Sequence, residues 1–266
     1  MARDEWSAVS EYKNALALLL DMQRGAQLAS LRQYHVTTTM EYTGTELEAM
    51  ELARNYHRWI LDFFRPYIRG TVVEIGAGIG TVSELLAEYA PAQLRCYEPA
   101  KNLFPHLARR IGERENVCVE NRFYDGASRA DAVVLINVLE HIEDDRAMLE
   151  KIRGTLNENG RLLLFVPALP AIFGSLDEQF GHFRRYTRRQ LAGLVTACGY
   201  EIELLRYVNL PGVFAWFLAG TILRKRTISP RAAAFYDKCV VPLVRAIESR
   251  IGPPIGQSLV LIAKPC

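Results

Sequence analysis

The stretch Thr71-Val-Val-Glu-Ile-Gly-Ala-Gly-Ile-Gly-Thr-Val-Ser-Glu-Leu-Leu-Ala-Glu-Tyr89 decides how the rest of the chain is read. It begins as a short apolar run with β-branched residues, passes through glycines at alternate positions (Gly76, Gly78, Gly80), and resumes with helical spacing at Val82, Leu85 and Leu86. The pattern predicts a strand, a tight turn and a helix. Glycines suit such a turn because the backbone must enter conformations that a Cβ forbids and must let a ligand approach the main chain closely. The helix that follows aims free N–H groups and the positive end of its dipole at whatever lies over the loop.

Outward from this loop the chain alternates strand and helix. Gln93 to Glu98 and Pro99 read as a second strand with an acid at its carboxyl end, where a carboxylate can accept both hydroxyls of a ribose. Val117 to Asn121 is a third strand, followed by Tyr124-Asp125-Gly126. The fourth, Ala130 to Ile136, runs directly into Asn137-Val-Leu-Glu-His-Ile-Glu-Asp-Asp145. A helix from Arg146 to Leu156 and a turn at Asn157-Glu-Asn-Gly160 lead to a fifth strand, Arg161 to Val166, ended by Pro167. Glu201 to Tyr207 and Gln257 to Ala263 complete the set. The expectation is an α/β fold with a doubly wound sheet of seven strands.

A dinucleotide fingerprint requires G-x-G-x-x-G, and here the third glycine comes one residue early; a P-loop would need Gly-Lys-Ser/Thr, which is absent. The pattern Glu74-x-Gly76-x-Gly78-x-Gly80 instead resembles the first motif of class I S-adenosylmethionine-dependent methyltransferases. Asn137-Val-Leu-Glu-His141 resembles the motif after that family's fourth strand, and the likeness covers residues 71 to 167 and extends more loosely to the C-terminus. It implies a Rossmann-like methyltransferase sheet with adenosylmethionine as cofactor. The methionine part of the cofactor would be held by Glu74, Gly76, Ala77, Gly78 and Gly80. Glu98, with Pro99 beside it, would meet the ribose, and Asp125, followed by Gly126, the adenine amino group. Asp125 can equally be a plain turn residue. Asn137, Val138, Leu139 and His141 would lie beside the cofactor, His141 packing or hydrogen bonding there rather than serving as a base. Segments before the first strand in similar enzymes fold over the cofactor as a lid, which would bring Tyr42, Asn55 and Tyr56 to it.

Between the fifth and sixth strands Phe173-Gly-Ser-Leu-Asp-Glu-Gln-Phe-Gly-His-Phe-Arg-Arg-Tyr-Thr187 gathers six ionisable side chains within ten positions, after the carboxyl end of a parallel strand, where open α/β sheets bind ligands. A similar Asp-x-x-x-Gly-His-x-Arg-Arg-Tyr stretch occurs in bacterial methyltransferases acting on small molecules. Asp177, Glu178 and His182 are the candidate bases for an acceptor that carries a tightly held proton. Arg184, Arg185 and Tyr186, with Phe173 and Trp216, are the candidate acceptor contacts, because guanidinium groups pair with carboxylates or phosphates. Neighbouring side chains diverge, so only one of the two arginines is expected to point inward. Arg188 and Arg189 read as the solvated face of a helix capped by Thr187.

From Leu210 to Leu223 the chain turns apolar and aromatic, with Arg224-Lys-Arg226 behind it. Pro211, Gly212 and Gly220 interrupt a run already too short to span a bilayer. It reads as a pocket cover, or, as a second reading, a membrane-surface helix with a basic edge.

The division expected is a helical lid over residues 1–70 and a methyltransferase domain over 71–266, with a helical insert at about 210–250. The 266 residues are half hydrophobic, enough for a substantial core, and the formal charge of +2 gives no argument for nucleic acid. Five scattered cysteines without a C-x-x-C pair point away from disulfides and zinc, and a reduced, cytoplasmic protein is expected. The reading is methyl transfer to a small-molecule acceptor with an acidic or polar group and a hydrophobic part, without a metal. The alternatives are an NAD-dependent oxidoreductase and a non-catalytic cofactor-binding partner; the sequence leaves the oligomeric state open.

Overall fold

The computed structural model describes residues 41, 42, 44 and 46–266, so the helix expected from Glu11 to Gln33 and a capping box at Thr45 lie outside the described residues. Among them seven strands form one sheet: β1 (Thr71–Ile75), β2 (Gln93–Tyr97), β3 (Val117–Glu120), β4 (Ala130–Ile136), β5 (Leu156–Pro167), β6 (Tyr200–Val208) and β7 (Ser258–Pro265). Their order is β3-β2-β1-β4-β5-β7-β6, with β7 antiparallel to both of its neighbours. The order reverses at β1, so a crevice opens between the carboxyl ends of β1 and β4, the place where doubly wound sheets take ligands.

Strand alternation divides the core in two. Val72, Val134, Leu163, Phe165, Val260 and Ile262 face one layer; Val73, Val133, Leu135, Leu162, Leu164 and Leu261 face the other. The first layer is covered by α2 (Arg54–Phe64), α3 (Thr81–Glu88) and α4 (Phe104–Ile111), and the second by α5 (Asp145–Thr155) and α7 (Arg188–Ala197). Ahead of α2, and before the first strand, lies a short α1 (Glu46–Glu51). Ile60, Leu61 and Phe64 of α2 are at most 1% exposed, and each such side chain contributes about 1.5–3 kcal/mol by leaving water. Thr187 caps α7 as expected, exchanging hydrogen bonds with Gln190.

The strand β5 starts five residues before Arg161. Leu156 pairs with Ala130 and Arg161 with Ala132, so Asn157 to Gly160 form a bulge inside the strand instead of a turn ahead of it. Asn157 fills the bulge by donating to Asp131 Oδ1 at 2.7 Å, and Gly160 is required because a Cβ there would meet Asn157 O at 2.9 Å.

Between β6 and β7 lies a helical insert: α8 (Leu210–Trp216), continued by a π-helical stretch (Phe217–Ile222); α9 (Pro230–Phe235), continued likewise over Tyr236–Val240; and α10 (Val241–Glu248). Two buried acids fasten it. Glu248 accepts from the N–H groups of Asn209 and Leu210, both at 2.9 Å, where α8 begins. Asp237 accepts from Tyr56 N–H at 2.8 Å and Asn55 N–H at 3.2 Å, at the electropositive start of α2. The insert and the segment ahead of β1 are thereby held against each other over one end of the sheet.

Candidate active site

Gly76, Gly78 and Gly80 all have left-handed φ angles, +73°, +58° and +85°, which explains three glycines in five residues. A Cβ on Gly76 would stand 2.6 Å from Val138 Cγ2, so Val138 packs against the underside of the loop. A Cβ on Gly78 would meet only Leu47, at 3.7 Å, so the loop is open on its other side. Glu98 bridges the loop to the end of β2, accepting from Gly78 N–H at 2.6 Å and Ala100 N–H at 2.8 Å. Burial raises its pKa, while those two donors act in the opposite direction. Beneath the loop Glu74 is buried and accepts from the Ser83 hydroxyl at 2.5 Å; burial pushes its pKa up to about 7.

The loop after β5 leads into α6 (Ser175–Phe180), and residues 182–186 then run extended, Tyr186 bridging to Ala168. Side chains of an extended segment alternate, and this sorts the Arg-Arg-Tyr motif. Arg184 Nη1 and Tyr186 Oη both donate to Asp145 Oδ2, at 2.7 and 2.9 Å, on the side of α5. Arg185 points the other way, 4% exposed, donating through Nε to Asp177 Oδ1 at 2.7 Å and through Nη1 to Ala168 O at 2.9 Å. The same Oδ1 accepts from His182 Nδ1 at 2.8 Å, while Oδ2 accepts from Gly174 N–H at 3.0 Å and Trp216 Nε1 at 3.0 Å. Burial works against the charge on Asp177, yet His182, Arg185 and Trp216 hold its pKa below the usual carboxylate value. An ionised Asp177 makes Nδ1 of a neutral His182 the protonated nitrogen and leaves Nε2 with its lone pair.

Next to His182 stands Glu140, with 0% exposure and neither carboxylate oxygen hydrogen bonded among the described residues. Burial pushes its pKa up to about 8. His141, in edge-to-face contact with the His182 ring at 4.7 Å, is pushed down to about 3 by burial and by His182. Glu140, His141 and His182 bring one ligand atom each within 4.8 Å of one another. A Glu that holds its proton is a poor metal ligand, so the geometry reads best as a polar cluster in the cavity wall, with His141 and His182 lining the cavity and Glu140 buried behind them.

One cavity of about 430 Å³ joins the parts. Of the residues expected at a site from sequence, Tyr42, Glu74, Gly76, Ala77, Gly78, Asn137, His141, His182, Arg185 and Trp216 line it. Asn137 is held in a left-handed turn, φ +52°, which asparagine tolerates better than most residues. Glu98 and Gly80 stand just behind the loop, with Pro99 next to Glu98, and Val138 and Leu139 pack beneath, Leu139 within the core. Other residues are placed elsewhere. Asp125 pairs with Arg122 and caps Ala127 N–H, and Gly126 packs on Lys151; neither lines the cavity. Glu178 is exposed to solvent and Phe173 is half-buried outside the lining. Arg184 and Tyr186 are turned to Asp145, and Asp177 is sealed behind His182 and Arg185, an anchor and not itself a group facing the cavity. The cavity also takes in His57, Phe180, Lys225, Tyr236 and Ser258, none of which stands in a motif. For Lys225 and Tyr236 the only signal is the aromatic and basic character of the insert; His57 in α2, Phe180 in α6 and Ser258 at the start of β7 reach the cavity through tertiary packing.

The methyltransferase domain family matches this chain over residues 47–205, more than half of it. No curated protein matches. Solved structures align at low identity and share the fold. A putative S-adenosylmethionine-dependent methyltransferase from Listeria monocytogenes is 13% identical, covering 80% of this chain and 99% of its own, with a TM-score of 0.53. The DhpI–SAH complex is 16% identical, covering 83% and 88%, with a TM-score of 0.50. The complex between the Haloferax volcanii Trm112 methyltransferase activator and the putative methyltransferase aligns at 14% identity over 82% and 92%, with a TM-score of 0.53. The chain belongs to the methyltransferase domain family, in the seven-stranded Rossmann-like fold of the S-adenosylmethionine-dependent enzymes.

Proposed function

We propose that this enzyme transfers a methyl group from S-adenosylmethionine to a small amphiphilic acceptor, with His182 as the base. One observation carries this reading: the open side of the glycine loop and the His182–Arg185–Trp216 group line the same cavity. The residues present fit the cofactor, since the loop offers glycine backbone and the start of α3 on a face that no Cβ occupies. When bound there, adenosylmethionine supplies an electrophilic methyl on a sulfonium centre.

The chain's own contribution is alignment, exclusion of water and a place for one proton. His182 Nε2 accepts a proton from an acceptor O–H or N–H, and Asp177 stabilises the imidazolium through Nδ1 without taking the proton itself. Arg185 is committed to Asp177 and Ala168 and so positions the pair. The cation left for a carboxylate or phosphate of the acceptor is Lys225, which lines the cavity. Ala215, Ala219 and Ile228 receive the hydrophobic part. A covering role for the described segment ahead of β1 belongs to the same proposal and is supported by Tyr42, Leu47 and Tyr56 in the cavity wall.

The direct test is incubation of the purified protein with methyl-labelled adenosylmethionine and fractions of its host lysate, alongside His182→Gln. Label entering a small molecule with the wild type and not with the variant supports the reading. Calorimetry showing no adenosylmethionine binding by the wild type would end it.

A further inference from the structure

Exposed apolar side chains are concentrated in one part of the molecule. Among the described residues, every exposed large hydrophobic except Leu52 lies between Phe214 and Ile255. They form two stripes at about one-turn spacing. Phe214, Leu218 and Ile222 are 67%, 51% and 59% exposed along α8 and its continuation. Leu243, Ile247 and Ile251, at 63%, 55% and 73%, run along α10 and past its end. Single exposed apolar residues are ordinary on a soluble protein, but two such stripes in one insert mark a surface that is covered by something.

The charge of the insert says by what. Residues 210–257 contain seven Lys or Arg and two acids, and both acids, Asp237 and Glu248, are buried at 3% and 5% exposure. Among the described residues only Arg245 of the seven has an acidic partner, Asp62. Arg224, Lys225, Arg226, Arg231, Lys238 and Arg250 are exposed. The exposed surface of the insert is therefore apolar and cationic with no exposed acid of its own, Lys225 standing where that surface meets the cavity. A second copy meeting this face through a two-fold axis would bring like charges together, so self-association is disfavoured. No helix among the described residues is long and apolar enough to cross a membrane.

We propose that the insert docks on the surface of an anionic lipid bilayer, its apolar stripes entering the boundary between headgroups and acyl chains and its cations meeting lipid phosphates. α8 and α9 have their other sides in the cavity wall, through Ala215, Trp216 and Ala232. Docking thus sets the cavity beside the bilayer, where an amphiphilic acceptor could present its polar group without leaving the lipid. That last point rests on the methyl-transfer reading; the docking does not.

The test is flotation of the full chain with phosphatidylcholine vesicles, with and without phosphatidylglycerol. Flotation with the anionic vesicles and not with the neutral ones, weakening as salt is raised, is the expected result. The triple variant Arg224→Glu/Arg226→Glu/Arg250→Glu should bind on the order of a hundredfold more weakly or worse. Phe214→Glu/Ile247→Glu should lose flotation too. These positions are exposed, so circular dichroism and calorimetric adenosylmethionine affinity should match the wild type in both variants. Absence of flotation, equal flotation with neutral vesicles, or a concentration-dependent dimer abolished by Phe214→Glu/Ile247→Glu would each overturn the proposal. Loss of adenosylmethionine binding by the wild type would instead count against the methyltransferase reading and leave the docking result standing.

Discussion

Trp216 of the insert donates its indole N–H to Asp177 Oδ2 at 3.0 Å. Its ring also lies 4.7 Å from the guanidinium of Arg185, Asp177's partner, so the insert is latched to the charged pair beside His182. Trp216→Phe keeps the ring and removes the donor, leaving one oxygen of a buried carboxylate short of a partner. A hydrogen bond to a charged group is worth about 1.5–3 kcal/mol. Acceptor kcat/KM should fall roughly ten- to hundredfold if most of that is felt in the site. Adenosylmethionine affinity by calorimetry should change little; an equal loss in both would show that Trp216 merely holds the fold.

His182→Gln should lower kcat by about 10²- to 10⁴-fold for an acceptor that must lose a proton, with substrate and cofactor affinities preserved. Asp177→Asn should depress kcat as well, because an amide no longer fixes Nδ1 as the protonated nitrogen. It should also destabilise the protein, since Arg185 is then left as a buried charge without its counterion, a loss of about 3–5 kcal/mol in comparable sites. Thermal melts beside single-turnover rates separate the two effects. Normal turnover by His182→Gln would remove the base from the mechanism.

The two adjacent arginines should behave quite differently. Arg184 pairs with Asp145 at a site with 32% and 14% side-chain exposure, so Arg184→Ala should cost about 1 kcal/mol of stability or less and leave acceptor KM within about twofold. Arg185→Ala uncovers the charge of Asp177 at full burial and should lower Tm sharply. Equal behaviour of the pair in melts and in kinetics would contradict the alternation described.

This alternation also shows where the sequence was informative. The glycine loop, the strand ends and the Asn137 turn follow from local chemistry: left-handed φ angles need Gly or Asn, and buried parallel strands need continuous apolar runs. That only one arginine faces inward followed too. That Arg185 would be claimed by Asp177, eight positions earlier and across a turn, did not follow, because such pairing depends on how α6 packs under the insert. Asp125 stands outside the cavity lining for a related reason: its neighbour Arg122 pairs with it at the surface. The bulge at Asn157 read as a turn because its Asn and Gly do turn the chain, only within the strand. His57 and Tyr236 reach the cavity solely through tertiary packing, which no local spacing encodes.

Glu98→Ala removes an acceptor from Gly78 N–H and Ala100 N–H as well as the proposed ribose contact. Adenosylmethionine binding should weaken by about 1.5–3 kcal/mol in calorimetry. Glu98→Gln keeps an acceptor oxygen for one of the two N–H groups and should fall between the alanine variant and the wild type. An affinity unchanged in both variants would place the ribose elsewhere.

Stability against pH should report on Glu140. Burial pushes it up to about 8 in the folded chain, and a carboxylate freed by unfolding returns to about 4.5. Below that lower value both states hold the proton and no penalty arises. As pH rises through the window the unfolded state releases its proton first, so stability falls progressively and the loss is complete above about 8. Glu74, pushed up to about 7, adds to the same limb. On the acid side His57 and His141, pushed down to about 4 and about 3, let the unfolded chain take up protons first, so stability falls as pH drops below 6.5. Glu140→Gln removes one member of the alkaline limb only. Its Tm relative to the wild type should therefore rise from about pH 5 to about pH 8 and level off above that, whatever constant offset the buried amide introduces. Calorimetric melts across that range check it: a difference that stays flat with pH would mean that Glu140 is not the group whose ionisation opposes folding.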